Sequence, residues 1–223
     1  MGQNLTLTSP DGHSFGAYRA DPAGTPKGAI VVIQEIFGVN SHIRAVTDRF
    51  AQEGYVAISP ALFDRAKRDF QSGYSADEVA EARKFIGAIP MDAMLADTQT
   101  TINAVKTVGP IGIVGFCLGG SIAYLAAARL DGLKAAVGYY GGMVAKNVDA
   151  KPHIPVQLHF GEEDHGIPMA DVETIKAKRP EVEVFVYKGA GHGFHCDERG
   201  SYHKESADTA WPRTLAFFTK HVK

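Results

Sequence analysis

Along most of the chain, wholly apolar runs alternate with segments of helical period. The runs AIVVI (29–33) and IGIV (111–114) carry no polar side chain on either face, as expected of strands covered by helices on both sides of a sheet. The same reasoning predicts strands over 28–33, 55–59, 111–114, 134–139, 154–160 and 183–187. Helical periodicity predicts helices over about 41–53, 76–86, 91–108, 121–130 and 169–177, and a last one running through 211–218. Strands that alternate with helices predict an α/β fold, a mostly parallel central sheet with helices on both faces. The N-terminal pattern differs. Leu5-Thr-Leu-Thr8 alternates strictly, Pro10-Asp-Gly12 reads as a turn, and residues 13–19 alternate loosely, so an antiparallel hairpin is expected to lead the sheet.

At 223 residues, 45% hydrophobic and 22% charged, the chain can fill one α/β core, and a single domain over 1–223 is expected. Charges of both signs are spread over the chain for a net −2. No basic stripe points to nucleic acid, so the expected partner is a small molecule. No apolar run approaches the ~18 residues of a membrane helix, and the opening MGQNLTLTSPDG lacks the basic and apolar regions of a secretory signal, which leaves a cytoplasmic protein as the expectation. Residues 1–6 fit a myristoylation pattern and 4–6 a glycosylation pattern, but the strand and turn account for the same residues. The two cysteines, Cys117 and Cys196, both fall inside candidate chemical motifs and read as free thiols. The irregular stretch 60–74, with Arg65, Lys67, Arg68, Phe70 and Tyr74, is long enough for a lid or binding loop and also reads as a solvated surface loop.

In an open sheet of this kind, ligands bind beyond the carboxyl ends of the strands. Gly115-Phe-Cys-Leu-Gly119 follows the strand at 111–114 in the pattern of a nucleophile elbow, a sharp strand-to-helix turn that needs small neighbours and lifts one side chain into the cleft. Cys117 then stands at a helix N-terminus, where free N–H groups favour a thiolate and can bind an oxyanion. The Leu118 N–H is the first candidate donor. The strand at 154–160 ends in Gly161-Glu-Glu-Asp-His-Gly166, which offers Asp164, and the strand at 183–187 is followed by Gly191-His-Gly193, which offers His192. Nucleophile, acid and base in that order, each after its own strand, is the α/β-hydrolase order. His165 and His195 compete as the base and Glu163 as the acid. Directly after the strand at 28–33 comes Gln34-Glu-Ile-Phe-Gly38, where the Ile36 N–H is the candidate second oxyanion donor. Glu35 there is either a capping or solvated acid, or faces Cys117 and holds its proton.

These stretches, together with Asp11-Gly-His-Ser-Phe15 and Ala136-Val-Gly-Tyr-Tyr-Gly141, resemble the dienelactone hydrolases, or carboxymethylenebutenolidases, over nearly the whole chain. The resemblance implies a Cys117–Asp164–His192 triad, a resting thiol paired with Glu35, and hydrolysis of a lactone such as 4-carboxymethylenebut-2-en-4-olide or of a small ester through an acyl-enzyme. It also allows a monomer. In the family an arginine four residues after the histidine binds the substrate carboxylate; that position here is Cys196. Arg83, Arg199, Arg65 and Arg68 are the remaining candidate anion partners, each also read as a solvated surface charge, and Phe37, Tyr74 and Phe194 are candidates to line the pocket. No metal or organic cofactor is expected. Two alternatives from other classes are a glyoxalase-like or redox protein with a glutamate-paired elbow cysteine, and a non-catalytic ligand sensor on a hydrolase fold.

Overall fold

The computed structural model describes residues 2–223; Met1, where the myristoylation-like pattern begins, lies outside the described residues. The apolar runs form β3 (Ala29–Ile33), β4 (Val56–Pro60), β5 (Ile111–Phe116) and β7 (Val156–Gly161), each buried at every position. With β6 (Leu133–Tyr139) and β8 (Glu183–Tyr187) they make six parallel strands. The hairpin of β1 (Gln3–Thr8) and β2 (Ser14–Ala20) adds two antiparallel strands against β4. The sheet order is β1-β2-β4-β3-β5-β6-β7-β8.

Six α-helices cover the sheet: α1 (Ser41–Gln52), α2 (Ala76–Ala88), α3 (Met91–Val105), α4 (Leu118–Arg129), α5 (Met169–Lys178) and α6 (Lys204–His221). α1 is capped by the Asn40 side chain, which accepts from the Ile43 N–H, and α2 by a reciprocal Ser75–Glu78 capping box. α1 and α6 meet through Phe50, whose ring lies 4.7 Å from Trp211 and 5.9 Å from Phe218. α4 is buried from Leu118 to Ala127, as a helix that is apolar all round must be.

Beyond shifts of one or two residues at element ends, three stretches differ from the sequence expectation. α4 starts at Leu118 and not near 121, because the elbow turns within one residue; Leu118-Gly-Gly120 reads as loop on intrinsic propensity alone. α3 stops at Val105 in a turn closed by the Val108 N–H on the Val105 carbonyl. The stretch 60–74 contains a 3-10 helix, Leu62–Arg65, and buries Phe63 and Phe70. Arg65 in that stretch is no solvated charge. It forks onto Asp97 of α3 with two bonds of 2.7 Å, and its other arm reaches Asp11 at 2.8 Å. Asp97 is fully buried and also accepts from Ser9, so this one carboxylate ties the hairpin turn, the 3-10 helix and α3 together. Arg68 likewise serves the fold, donating to the Ser14 carbonyl at 2.8 Å and pairing with Asp64.

Candidate active site

From β3 the chain crosses to β4 on one side of the sheet, while β5 lies on the other. A crevice must therefore open at the carboxyl ends of β3 and β5. Glu35 lies two residues past the end of β3 and Cys117 one residue past the end of β5, so the topology puts both at this crevice.

Cys117 has φ 56° and ψ −113°, a conformation outside the ordinary regions for a non-glycine residue that costs on the order of 1–3 kcal/mol. Its N–H bonds the Tyr139 carbonyl on β6 at 3.0 Å, and its carbonyl accepts from the Gly120 N–H at 3.1 Å. The elbow is thus held from both sides, and the partly exposed sulfur projects at the start of α4. A Cβ at Gly119 would stand 2.5 and 2.6 Å from the Ile33 and Gln34 carbonyl oxygens. Glycine there lets the first turn of α4 lie against the end of β3. Leu118 opens the helix, where an N–H has no intrahelical acceptor, and neither it nor Ile36 donates to any of the loop and cap carbonyls among the described residues. Gln34 braces the Ile36 loop by accepting from the Leu62 N–H at 3.1 Å and donating to the Glu35 carbonyl at 3.2 Å.

Asp164 and His192 follow β7 and β8. One carboxylate oxygen, Oδ1, accepts from the Gly166 N–H at 2.8 Å, and Oδ2 accepts from His192 Nδ1 at 2.7 Å. The Asp164 side chain is fully buried while His192 is 30% exposed, so the pair presents the outer edge of the imidazole. Burial works to lower the His192 pKa, but the hydrogen bond to Asp164 and the neighbouring Cys117 side chain outweigh it and lift the group from 6.5 to about 10. The competitors are placed differently. Glu163 and His165 are exposed. His195 is buried against Phe116, Tyr139 and Trp211, and burial, with the charges of His42, Arg49 and His159, drives its pKa well below the ordinary value.

Glu35 is fully buried. Where the family resemblance implies a pairing with the thiol, its Oε1 instead accepts from Arg199 Nη1 at 3.2 Å, and its Oε2 has no partner among the described residues. The arginine comes from seven residues past His192, not four. The intervening chain folds back so that the guanidinium lies over Gly193, at φ 78°, where a Cβ would collide with it. It sits 5.5 Å from the Phe37 ring centre and 5.6 Å from that of Tyr74. The family's arginine position, Cys196, is a buried thiol donating to Tyr74 Oη at 3.2 Å. Burial and the Glu35 charge push its pKa up to about 12, which keeps it protonated and poorly nucleophilic.

The structure therefore gathers Cys117, Asp164, His192, Glu35, Arg199, Phe37 and Tyr74 into one cluster at the carboxyl ends of the strands. Phe194 lies behind it, wholly buried against Tyr140 and Tyr187; Phe37 is buried as well, but its ring meets the Arg199 guanidinium. Arg83 is exposed on α2 and forms no ion pair among the described residues. A crevice of about 390 Å³ between β1, β2 and residues 68–71 shares none of these groups.

Comparison with known proteins agrees with this arrangement of strands and loops. A candidate carboxymethylenebutenolidase from Synechocystis sp. is 38% identical, covering 94% of this chain and 93% of its own. The carboxymethylenebutenolidase of Pseudomonas putida is 33% identical over 96% of this chain and 95% of its own. The crystal structure of a candidate dienelactone hydrolase from Klebsiella pneumoniae superposes with a TM-score of 0.85 at 32% identity, covering 99% of this chain and all of the other. A Pyrococcus furiosus esterase, at 14% identity and a TM-score of 0.75, shares the fold. The model of the dienelactone hydrolase family matches residues 15–222, and the chain belongs to that family of lactone and ester hydrolases.

Proposed function

We propose that the chain hydrolyses a small lactone or carboxylic ester through Cys117, by way of a covalent acyl-enzyme. The observation that carries this reading is the buried Asp164 bonded to His192 Nδ1 at 2.7 Å beside a cysteine held at φ 56° on a helix N-terminus. Asp164 orients the imidazole through Nδ1, and with the His192 pKa at about 10 its Nε2 carries a proton as well, the one that Cys117 gives up. The sulfur then adds to the ester carbonyl. The oxyanion accepts hydrogen bonds from the Leu118 and Ile36 N–H groups. When the C–O bond breaks, the proton on His192 goes to the leaving oxygen. In the ring-opening of a lactone that oxygen stays on the acyl chain. His192 then takes a proton from water, hydroxide adds to the thioester, and the thiolate departs with the acid released.

An anionic substrate such as 4-carboxymethylenebut-2-en-4-olide fits the reading because Arg199, only 19% exposed, brings a guanidinium to the crevice. Its carboxylate would compete with Glu35 for the guanidinium. The test is hydrolysis of that dienelactone and of 4-nitrophenyl acetate by the wild type and Cys117→Ala. The expected result is loss of both activities by about a thousandfold or more in the variant. Equal rates in the two proteins would remove Cys117 from the chemistry and overturn the mechanism.

A further inference from the structure

One residue of the crevice has no part in the steps above and yet carries two unusual features. Tyr140, the residue after β6, has φ 38°. For a bulky side chain that is a true outlier, and it persists only where its surroundings enforce it. Its N–H is fixed on the His159 carbonyl at 2.8 Å, and its ring is wedged between His192, at 5.1 Å and 59°, and Phe194, at 5.5 Å and 72°. The side chain is wholly buried, yet its hydroxyl has no hydrogen-bond partner among the described residues. Buried tyrosine hydroxyls are ordinarily satisfied, so an orphaned one asks for an explanation.

The surroundings of that hydroxyl supply it. Burial first, then the nearby Glu35 charge, holds the phenol well above its ordinary pKa, so the hydroxyl keeps its proton. Its ring stands against the imidazole of the Asp164–His192 pair, which places this unspent donor beside the catalytic groups. A strained backbone and an unspent donor in a catalytic crevice make physical sense together if the donor is kept for a bound molecule.

We propose that the Tyr140 hydroxyl is a substrate-binding donor: it hydrogen-bonds an acceptor oxygen of the acid portion of the ester or lactone, beyond the scissile carbonyl, on the side of the site where its ring meets His192. The role deepens the hydrolase reading and rests on it. A site with a buried donor of this kind discriminates against substrates that leave the donor unpaired. Tyr140 would therefore select for acids bearing a second oxygen function, and the fit of the acyl chain would be set from β6 as well as from the Arg199 loop.

Tyr140→Phe removes one oxygen and keeps the ring. Two activated esters test it: 4-nitrophenyl acetate, which has no second acceptor, and the 4-nitrophenyl monoester of succinic acid, which carries a carboxylate. The expected result is a fall in kcat/KM of about tenfold on the succinate monoester, with less than about threefold on the acetate, and no loss of thermal stability because the deleted group was unpaired. Equal losses on both esters, no loss on either, or a lowered melting temperature that accompanies the loss would each overturn the assignment. Failure of the underlying reading looks different: the wild type itself would then hydrolyse neither ester.

Discussion

At the residue scale the crevice is governed by which charges are paired. His192 is held to Asp164 inside the protein, and Asp164 and Cys117 together raise its pKa against the opposing effect of burial. The sign follows from linkage. A folded-state pKa of about 10 against 6.5 means that these contacts contribute stability in full below about pH 6.5, and that this contribution is lost as the pH rises through about 10. Asp164→Asn removes the hydrogen-bonded anion while burial still opposes the charged imidazole. NMR titration of the His192 ring is expected to show its pKa falling by more than about one pH unit in that variant, with esterase activity down by about 10⁴ through loss of the tautomer lock. An unmoved titration would mean that Asp164 does not govern the imidazole. Glu35 is the other buried charge: Arg199 is its one side-chain partner among the described residues, so any ligand that draws the guanidinium away leaves a buried carboxylate unpaired.

At the element scale, the parallel strands were legible because burial on both faces removes polar residues altogether. β3 and β5 follow from five or six residues each. The hairpin was legible from its alternation. The start of α4 was not, since glycines are poor helix formers, and their reason for being there is the approach of the helix to the end of β3, a contact between segments about 85 residues apart in sequence. The 60–74 stretch was also illegible, because whether an arginine is solvated or forked onto a buried aspartate depends on a helix that comes some thirty residues later. That fork has a measurable consequence. Arg65→Met leaves Asp97 buried with only the Ser9 hydroxyl to compensate it, and removing one member of a buried pair typically costs about 3–5 kcal/mol. Urea denaturation should show a loss of that size, with the midpoint lowered and the slope unchanged. A change below about 1 kcal/mol would mean that water reaches Asp97 and that the fork does not hold the hairpin to α3.

At the scale of the whole molecule, the order of the strands decides the site, and strand order is what a single sequence states least directly. Cys117, Asp164 and His192 could be picked out because each follows its own strand in a recurring succession, whereas the Glu35–Arg199 pair depends on β3 lying next to β5 and on the chain past His192 folding back. Beneath these loops the molecule is held by a column of rings through its centre. His159 stacks on Tyr139 at 4.4 Å, and Tyr139 in turn touches Phe116 and His195. His159 satisfies both ring nitrogens internally, with Tyr187 at 2.7 Å and Gln157 at 2.9 Å, and burial drops its pKa to about 3. The sign here is opposite to that of His192. Between pH 6.5 and about 3 the unfolded chain binds a proton that the folded chain refuses, so stability falls as the pH falls through this window, by up to about 1.4 kcal/mol per pH unit. His159→Gln keeps a polar group of similar reach and cannot titrate. The variant should be less stable than the wild type at pH 7, and the gap in unfolding free energy should narrow by about 2 kcal/mol when both are measured at pH 5. If the gap stays constant, the buried imidazole is not kept neutral by the fold, and the acid sensitivity of the central column must lie elsewhere in it.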